Sequence, residues 1–145
     1  MIREATPKDL PRIVEMGSRS LLEGPYRDQI ADNPEESAKL ALQVMNSQKG
    51  KVLVAEESGE VIGLLGFVIF PHYFSGEITA GELMWYVEPE FRKSFTALAL
   101  LRRAESLARA AGAKRMQFTA PTAAVGDAYK ALGYQPIEVS YQKEL

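Results

Sequence analysis

Ten consecutive residues, Val61 to Phe70, carry no polar side chain, and this run constrains the chain more than any other stretch. It is rich in valine, isoleucine, leucine and phenylalanine, which reads as a strand. It is too short to cross a bilayer, which takes about 20 residues. Directly before it, Lys51 to Glu57 has the same strand composition. Ser58-Gly59 separates the two segments as a two-residue turn, so the pair is expected to fold as a β-hairpin.

Around this hairpin the composition is that of an ordinary globular domain. The chain has 145 residues, 46% hydrophobic and 25% charged, which excludes disorder, collagen-like repeats and coiled coil. A chain of this length buries a core without staples. No linker or repeat divides it, so residues 1–145 are expected to form one domain. There is no cysteine, hence no disulfide framework, thiol nucleophile or thiolate metal site. His72 is the single histidine, so a site with two imidazoles is excluded, and no metal is expected. The opening MIREATPKDL lacks an apolar signal core. The expectation is a soluble, cytoplasmic domain with no membrane partner.

Helical spacing fills the segments on either side. Thr6-Pro7-Lys8-Asp9 is a helix start, with threonine as cap acceptor and aspartate at the positive helix end. Pro11 implies a distorted first turn, and Leu10, Ile13, Val14 and Leu21 carry the helix to about residue 22. Asn33-Pro34-Glu35-Glu36 starts a second helix, reaching about Gln48. Further strands are expected at Ile2–Glu4, Ile78–Val87, Lys114–Thr119 and Ile137–Lys143. Helices are expected at Phe95–Ala111, with Leu98, Leu101, Ala104, Leu107, Ala108 and Ala111 as the apolar stripe, and at Thr122–Leu132. The order β-α-α-β-β-β-α-β-α-β is an α/β pattern with a mainly antiparallel start and a βα crossover at its end.

Charge is unevenly placed. The net value is −2, which argues against a nucleic-acid binder. Yet residues 91–115 hold seven basic side chains (Arg92, Lys93, Arg102, Arg103, Arg109, Lys114, Arg115) against Glu105 alone. This stretch is either a solvated helix face or a site for a polyanion. Its N-terminal part, Val87-Glu88-Pro89-Glu90-Phe91-Arg92-Lys93-Ser94-Phe95-Thr96-Ala97-Leu98, leaves a strand and opens straight into the longest helix. Such a turn aims free backbone N–H groups and the positive helix end at one spot, as a pyrophosphate requires. The same residues would equally make an ordinary strand–helix connection.

Four segments, in order, resemble the GNAT superfamily of acyl-CoA-dependent N-acetyltransferases. Ile2-Arg3-Glu4-Ala5-Thr6 with Asp9 and Ile13 is similar to the opening strand and helix. Val52 to Glu56 with Gly59-Glu60-Val61-Ile62-Gly63 is similar to the second and third strands. Val87-Glu88-Pro89-Glu90-Phe91-Arg92 matches the first half of V-x-P-x-x-R-x-x-G-x-G/A. Tyr129-Lys130-Ala131-Leu132-Gly133-Tyr134 matches Y-x-x-x-G-F/Y. The chain departs where the first glycine of the cofactor motif is replaced by Phe95; only the second small position, Ala97, is kept. This substitution resembles divergent members from tailed bacteriophages.

The resemblance implies a mixed, mostly antiparallel sheet of about six to seven strands flanked by four helices, with the fourth and fifth strands splayed. It implies acetyl-CoA as co-substrate, contacted by Tyr86, Val87, Arg92, Lys93, Ser94, Phe95, Thr96, Ala97 and Leu98. It further implies direct attack by an amine, small-molecule or protein-borne, with Tyr129 protonating the departing thiolate. Glu82 is the implied base, with Glu77, Glu88 and His72 as weaker options and a water chain as another. Acidic residues between Glu23 and Glu36 suit a cationic acceptor, and homodimers are common in the family. The rival reading is a GNAT-shaped module that has lost catalysis and serves in binding or assembly, with Phe95 as its mark.

Overall fold

The apolar run is apolar throughout because protein covers both of its faces. In the computed structural model, which describes residues 1–145, it forms β3 (Glu60–Pro71) at the centre of one five-stranded sheet. Its companions are β1 (Ile2–Glu4), β2 (Gly50–Glu57), β4 (Ile78–Val87) and β5 (Arg115–Gln117). The spatial order is β1-β2-β3-β4-β5. The first four strands run antiparallel, and β5 lies parallel to β4.

Helices α1 (Leu10–Glu23) and α2 (Pro34–Asn46) cover one face and α3 (Thr96–Ala110) the other. On the first face Ile13, Met16, Ala41 and Val44 pack on Val52, Val54, Leu64 and Tyr86. On the second, Leu100, Ala104 and Ala108 pack on Leu53, Leu65, Phe67 and Val87. The last helix, α4 (Ala123–Ala131), follows β5. The hairpin turn is as expected: Ser58 and Gly59 have φ of 52° and 82°, the left-handed pair that a two-residue turn demands.

Several boundaries differ from the sequence reading, each for a packing reason. The distorted first turn is a 3₁₀ turn over Pro7–Asp9. There Asp9, not Thr6, is the acceptor: its carboxylate takes the Thr6 N–H at 2.7 Å and the Thr6 hydroxyl at 3.2 Å. Arg3 holds the same carboxylate with two bonds of 2.8 and 2.9 Å. The second helix ends at Asn46 rather than Gln48. In α3 the inward stripe is Leu100, Leu101, Ala104 and Ala108, while Leu98 lies outside.

The expected final strand does not form, and the sheet has five strands rather than six or seven. Tyr134 still docks, donating its hydroxyl to Glu105 at 2.8 Å. Beyond it Ile137, Val139 and Tyr141 are 77%, 76% and 94% exposed. Their alternation is that of a strand, but a strand also needs an edge to pair with, and β5 offers only three residues.

Candidate active site

The site begins where two strands part. β4 and β5 pair at Thr79–Arg115, Ala80–Met116 and Gly81–Gln117 and no further. Opposite β3 the register of β4 slips just there: Glu82 faces Phe67 and Met84 faces Gly66, so Leu83 is an extra, bulged residue. The second half of β4 therefore has a free edge. The Glu88 N–H bonds the Ile62 carbonyl at 2.9 Å. By the alternation of an antiparallel ladder, the main-chain groups of Trp85 and Val87 then face away from β3, toward that edge.

Two side chains take over where the ladder stops. The Glu82 carboxylate accepts the Thr119 N–H at 3.1 Å, and the Tyr129 hydroxyl donates to the Thr119 carbonyl at 3.2 Å. Thr119 is two residues past the end of β5, so side chains hold the main chain where pairing with β4 has stopped. Trp85, Phe118 and Tyr134 surround the Tyr129 ring, with centroids 6.0, 5.6 and 5.9 Å away and Trp85 stacked. Burial raises the Glu82 pKa above the ordinary carboxylate value, and the Thr119 N–H partly offsets this. Burial, and secondarily the Glu82 charge, pushes the Tyr129 phenol well above its ordinary value. At neutral pH the phenol holds its proton. The buried indole N–H of Trp85 has no hydrogen-bond partner.

The turn after β4 presents donors. The Thr96 N–H is taken by the Ser94 hydroxyl at 3.2 Å, which itself donates to the Phe91 carbonyl at 2.6 Å. The Ala99 N–H reaches the Phe95 carbonyl at 2.8 Å. The amides of Lys93, Phe95, Ala97 and Leu98 have no acceptor in the protein. Four donors at the positive end of a 15-residue helix suit a diphosphate, and Ala97 keeps the approach open. Lys93 is exposed and makes no ion pair. Phe95 is 85% exposed with φ −74° and ψ 0°. Its ring is not tucked against the sheet, and its backbone does not require a glycine.

Arg92 is differently employed. Its Nε donates to the Val87 carbonyl at 2.7 Å, its Nη2 donates to Glu23 at 2.6 Å, and its guanidinium lies 5.2 Å over the Tyr86 ring. Arg102 pairs with Glu105 and Arg115 with Glu77, so three of the seven basic residues in this stretch are already paired. Tyr86 points to the α1 side, with its phenol raised chiefly by burial.

The remaining base options lie apart from the cleft. Glu88 is buried and held by Arg12 and Arg19, and Glu77 is paired with Arg115. His72 accepts the Phe74 N–H at its Nδ1, 3.3 Å away. It sits on the loop before β4, the opposite end of that strand from Val87. The sequence reading missed Thr119, whose contribution is purely main-chain, and the role of Glu23.

Comparison with known proteins identifies the family and the fold. The model of the acetyltransferase (GNAT) family matches residues 18–134, and the chain belongs to that family. No curated protein sequence matches it. Among solved structures it is similar to a transcriptional regulator from Bacillus halodurans C-125, at 21% identity and TM-score 0.80 over 100% of this chain and 99% of that one. It is also similar to an acetyltransferase from Trypanosoma brucei, at 17% identity and TM-score 0.77, again over 100% and 99%. An aminoglycoside antibiotic 6'-N-acetyltransferase from Acinetobacter haemolyticus matches at 20% identity and TM-score 0.77, with 100% and 99% covered. These likenesses show the fold. No helix is long and apolar enough to cross a membrane.

Proposed function

We propose that this protein is an acetyl-CoA-dependent N-acetyltransferase acting on a primary amine. The single observation that carries the reading is the interrupted β4–β5 ladder opening beside four unpaired amides. The amides of Lys93, Phe95, Ala97 and Leu98, with the Lys93 ammonium, would hold the diphosphate of the coenzyme. The free edge of β4, at Trp85 and the Val87 N–H, would pair with the amide-bearing arm; the Val87 carbonyl is held by Arg92. When bound, acetyl-CoA supplies an activated acyl group.

The chain's own residues then handle protons. Glu82 takes a proton from the incoming ammonium, so that a neutral amine attacks the thioester carbon in a ternary complex. A C–N bond forms as the C–S bond breaks. Tyr129 gives its proton to the leaving sulfur, and the second proton that the nitrogen sheds on becoming an amide restores the phenol. Both groups need their present bonds to Thr119 to loosen as substrates enter. Glu23, Asp28, Asp32, Glu35 and Glu36 lie in or beside the connection between α1 and α2 and favour a cationic acceptor, whether a small molecule or a protein amine.

Calorimetric titration with acetyl-CoA tests the reading. Binding in the micromolar range is expected; no heat at about 1 mM ligand, equivalent to less than about 4 kcal/mol of binding, ends it. One observation favours a second reading, a non-catalytic binding or assembly module. The Phe95 ring stands exposed on the turn, and Arg92 is already neutralised by Glu23. Tight coenzyme binding without acetyl transfer to any polyamine or lysine peptide would favour it.

A further inference from the structure

Arg12, Glu15, Arg19 and Glu23 are spaced three, four and four residues apart on α1, so one stripe of the helix carries charges of alternating sign. That stripe lies along the end of β4 and the turn beyond it. Arg12 donates to Glu88 at 2.6 Å, and one Arg19 nitrogen donates to both Glu88 oxygens at 2.9 and 3.0 Å. Glu15 joins the two arginines at 2.8 and 2.6 Å. The Tyr86 hydroxyl stands 3.3 Å from both Glu23 and Glu88, with one proton to give to either. Glu23 closes the set on Arg92 at 2.6 Å. Three guanidiniums thus meet three carboxylates, and Arg92 has little free charge left to offer a ligand.

What Arg92 does hold is position. The Glu88 N–H ties the end of β4 to Ile62, and the Phe91 ring packs against the core. Past Glu88, as far as Phe95, the main chain makes only short-range bonds, Phe91 to Glu88, Arg92 to Pro89, Ser94 to Phe91 and Ala99 to Phe95, and the Arg92 side chain adds the ties to Val87 and, through Glu23, to α1. The Lys93 and Phe95 amides belong to the turn, and the Ala97 and Leu98 amides to α3. Converging on one ligand requires the turn to be held against the rest. We infer that Glu23 is a positioning residue for the phosphate-binding turn, acting through Arg92. The inference rests on the coenzyme reading above and deepens it. Glu23 is also the last residue of α1, so the same carboxylate joins the turn to the start of the acidic connection.

The test compares coenzyme A with S-acetyl-pantetheine, which lacks the adenosine diphosphate portion, on the wild type, Glu23→Gln, Arg92→Gln and the double variant. Glu23→Gln is expected to raise the coenzyme A Kd about three- to fivefold, as a half-exposed ion pair can supply. It should leave S-acetyl-pantetheine binding unchanged. The double variant should match Arg92→Gln alone, because the two act in series. An unchanged Kd, equal losses for both ligands or additive losses would each overturn the inference. In the ligand-free protein, backbone order parameters of residues 89–95 should fall in Glu23→Gln; unchanged order also overturns it. If the wild type ignores coenzyme A while Glu23→Gln still loses order in residues 89–95, the acetyltransferase reading is overturned instead and the positioning role of Glu23 stands.

Discussion

Glu82 and Tyr129 meet at one residue: the carboxylate accepts a hydrogen bond from the N–H of Thr119 at 3.1 Å and the phenol donates one to the carbonyl of Thr119 at 3.2 Å. A carboxylate that receives N–H and a hydroxyl that donates are the two functions an amine acyl transfer asks for. Their common anchor lies just past the last β4–β5 pair, Gly81–Gln117, so side chains hold Thr119 where the ladder stops.

Tyr129→Phe removes the donor and keeps the ring stack. Turnover is expected to fall by roughly 10²-fold, the lower end for a lost general acid, with acetyl-CoA affinity nearly intact. Thr119 loses a partner, so stability should drop by about 1 kcal/mol. Steady-state kinetics beside chemical denaturation measure both; a collapse of affinity would make the tyrosine structural.

Burial raises the Glu82 pKa, so this group should place the acidic limb of kcat/KM above the ordinary glutamate value near 4.3. Glu82→Gln should abolish that limb and most of the rate. For stability the sign is destabilising on ionisation. The favourable contribution is full below the unfolded pKa and is lost as pH rises through the raised folded value. Glu82→Gln should therefore remove that loss and leave the protein somewhat more stable at neutral pH, as pH-dependent melting would show.

Asp9 works in the opposite direction. Chiefly through its bond to Arg3, its pKa is lowered from 3.8 to about 2. Its stabilisation is present above the unfolded value and disappears as pH falls toward 2. A shift of this size corresponds to about 2 kcal/mol. Asp9→Asn should cost about that much at pH 7 and little near pH 2, which parallel urea titrations at the two pH values would test.

Phe95 is an exposed aromatic whose backbone is unstrained. If the phosphate donors are backbone amides, Phe95→Ala should change coenzyme A affinity by less than about threefold, under 1 kcal/mol. A loss beyond about tenfold would show that the ring itself contacts the ligand.

Residues 136–145 are all exposed, and their one side-chain bond runs from Gln142 to Gln29 at 3.0 Å. Deleting them should leave Tm within about 2 °C, because little apolar area returns to water. A larger drop would mean that the alternating segment pairs after all.

Local chemistry carried most of the fold into view. The Ser58-Gly59 turn, the Asn33-Pro34 helix start and the apolar run at 61–70 depend on neighbours in sequence, and their elements stand close to where the pattern puts them. The motif from Val87 to Leu98 likewise announced a turn with free amides, since a helix start leaves them unpaired wherever it occurs. Tertiary structure alone decided the rest. Ile137, Val139 and Tyr141 alternate like a strand, but whether they pair depends on an edge formed by distant residues. Arg92 looked like a charge for a phosphate until folding brought Glu23, 69 positions away, against it. Thr119 gave no sign at all, because its N–H and carbonyl are common to nearly every residue, and only the parting of two strands made them anchors.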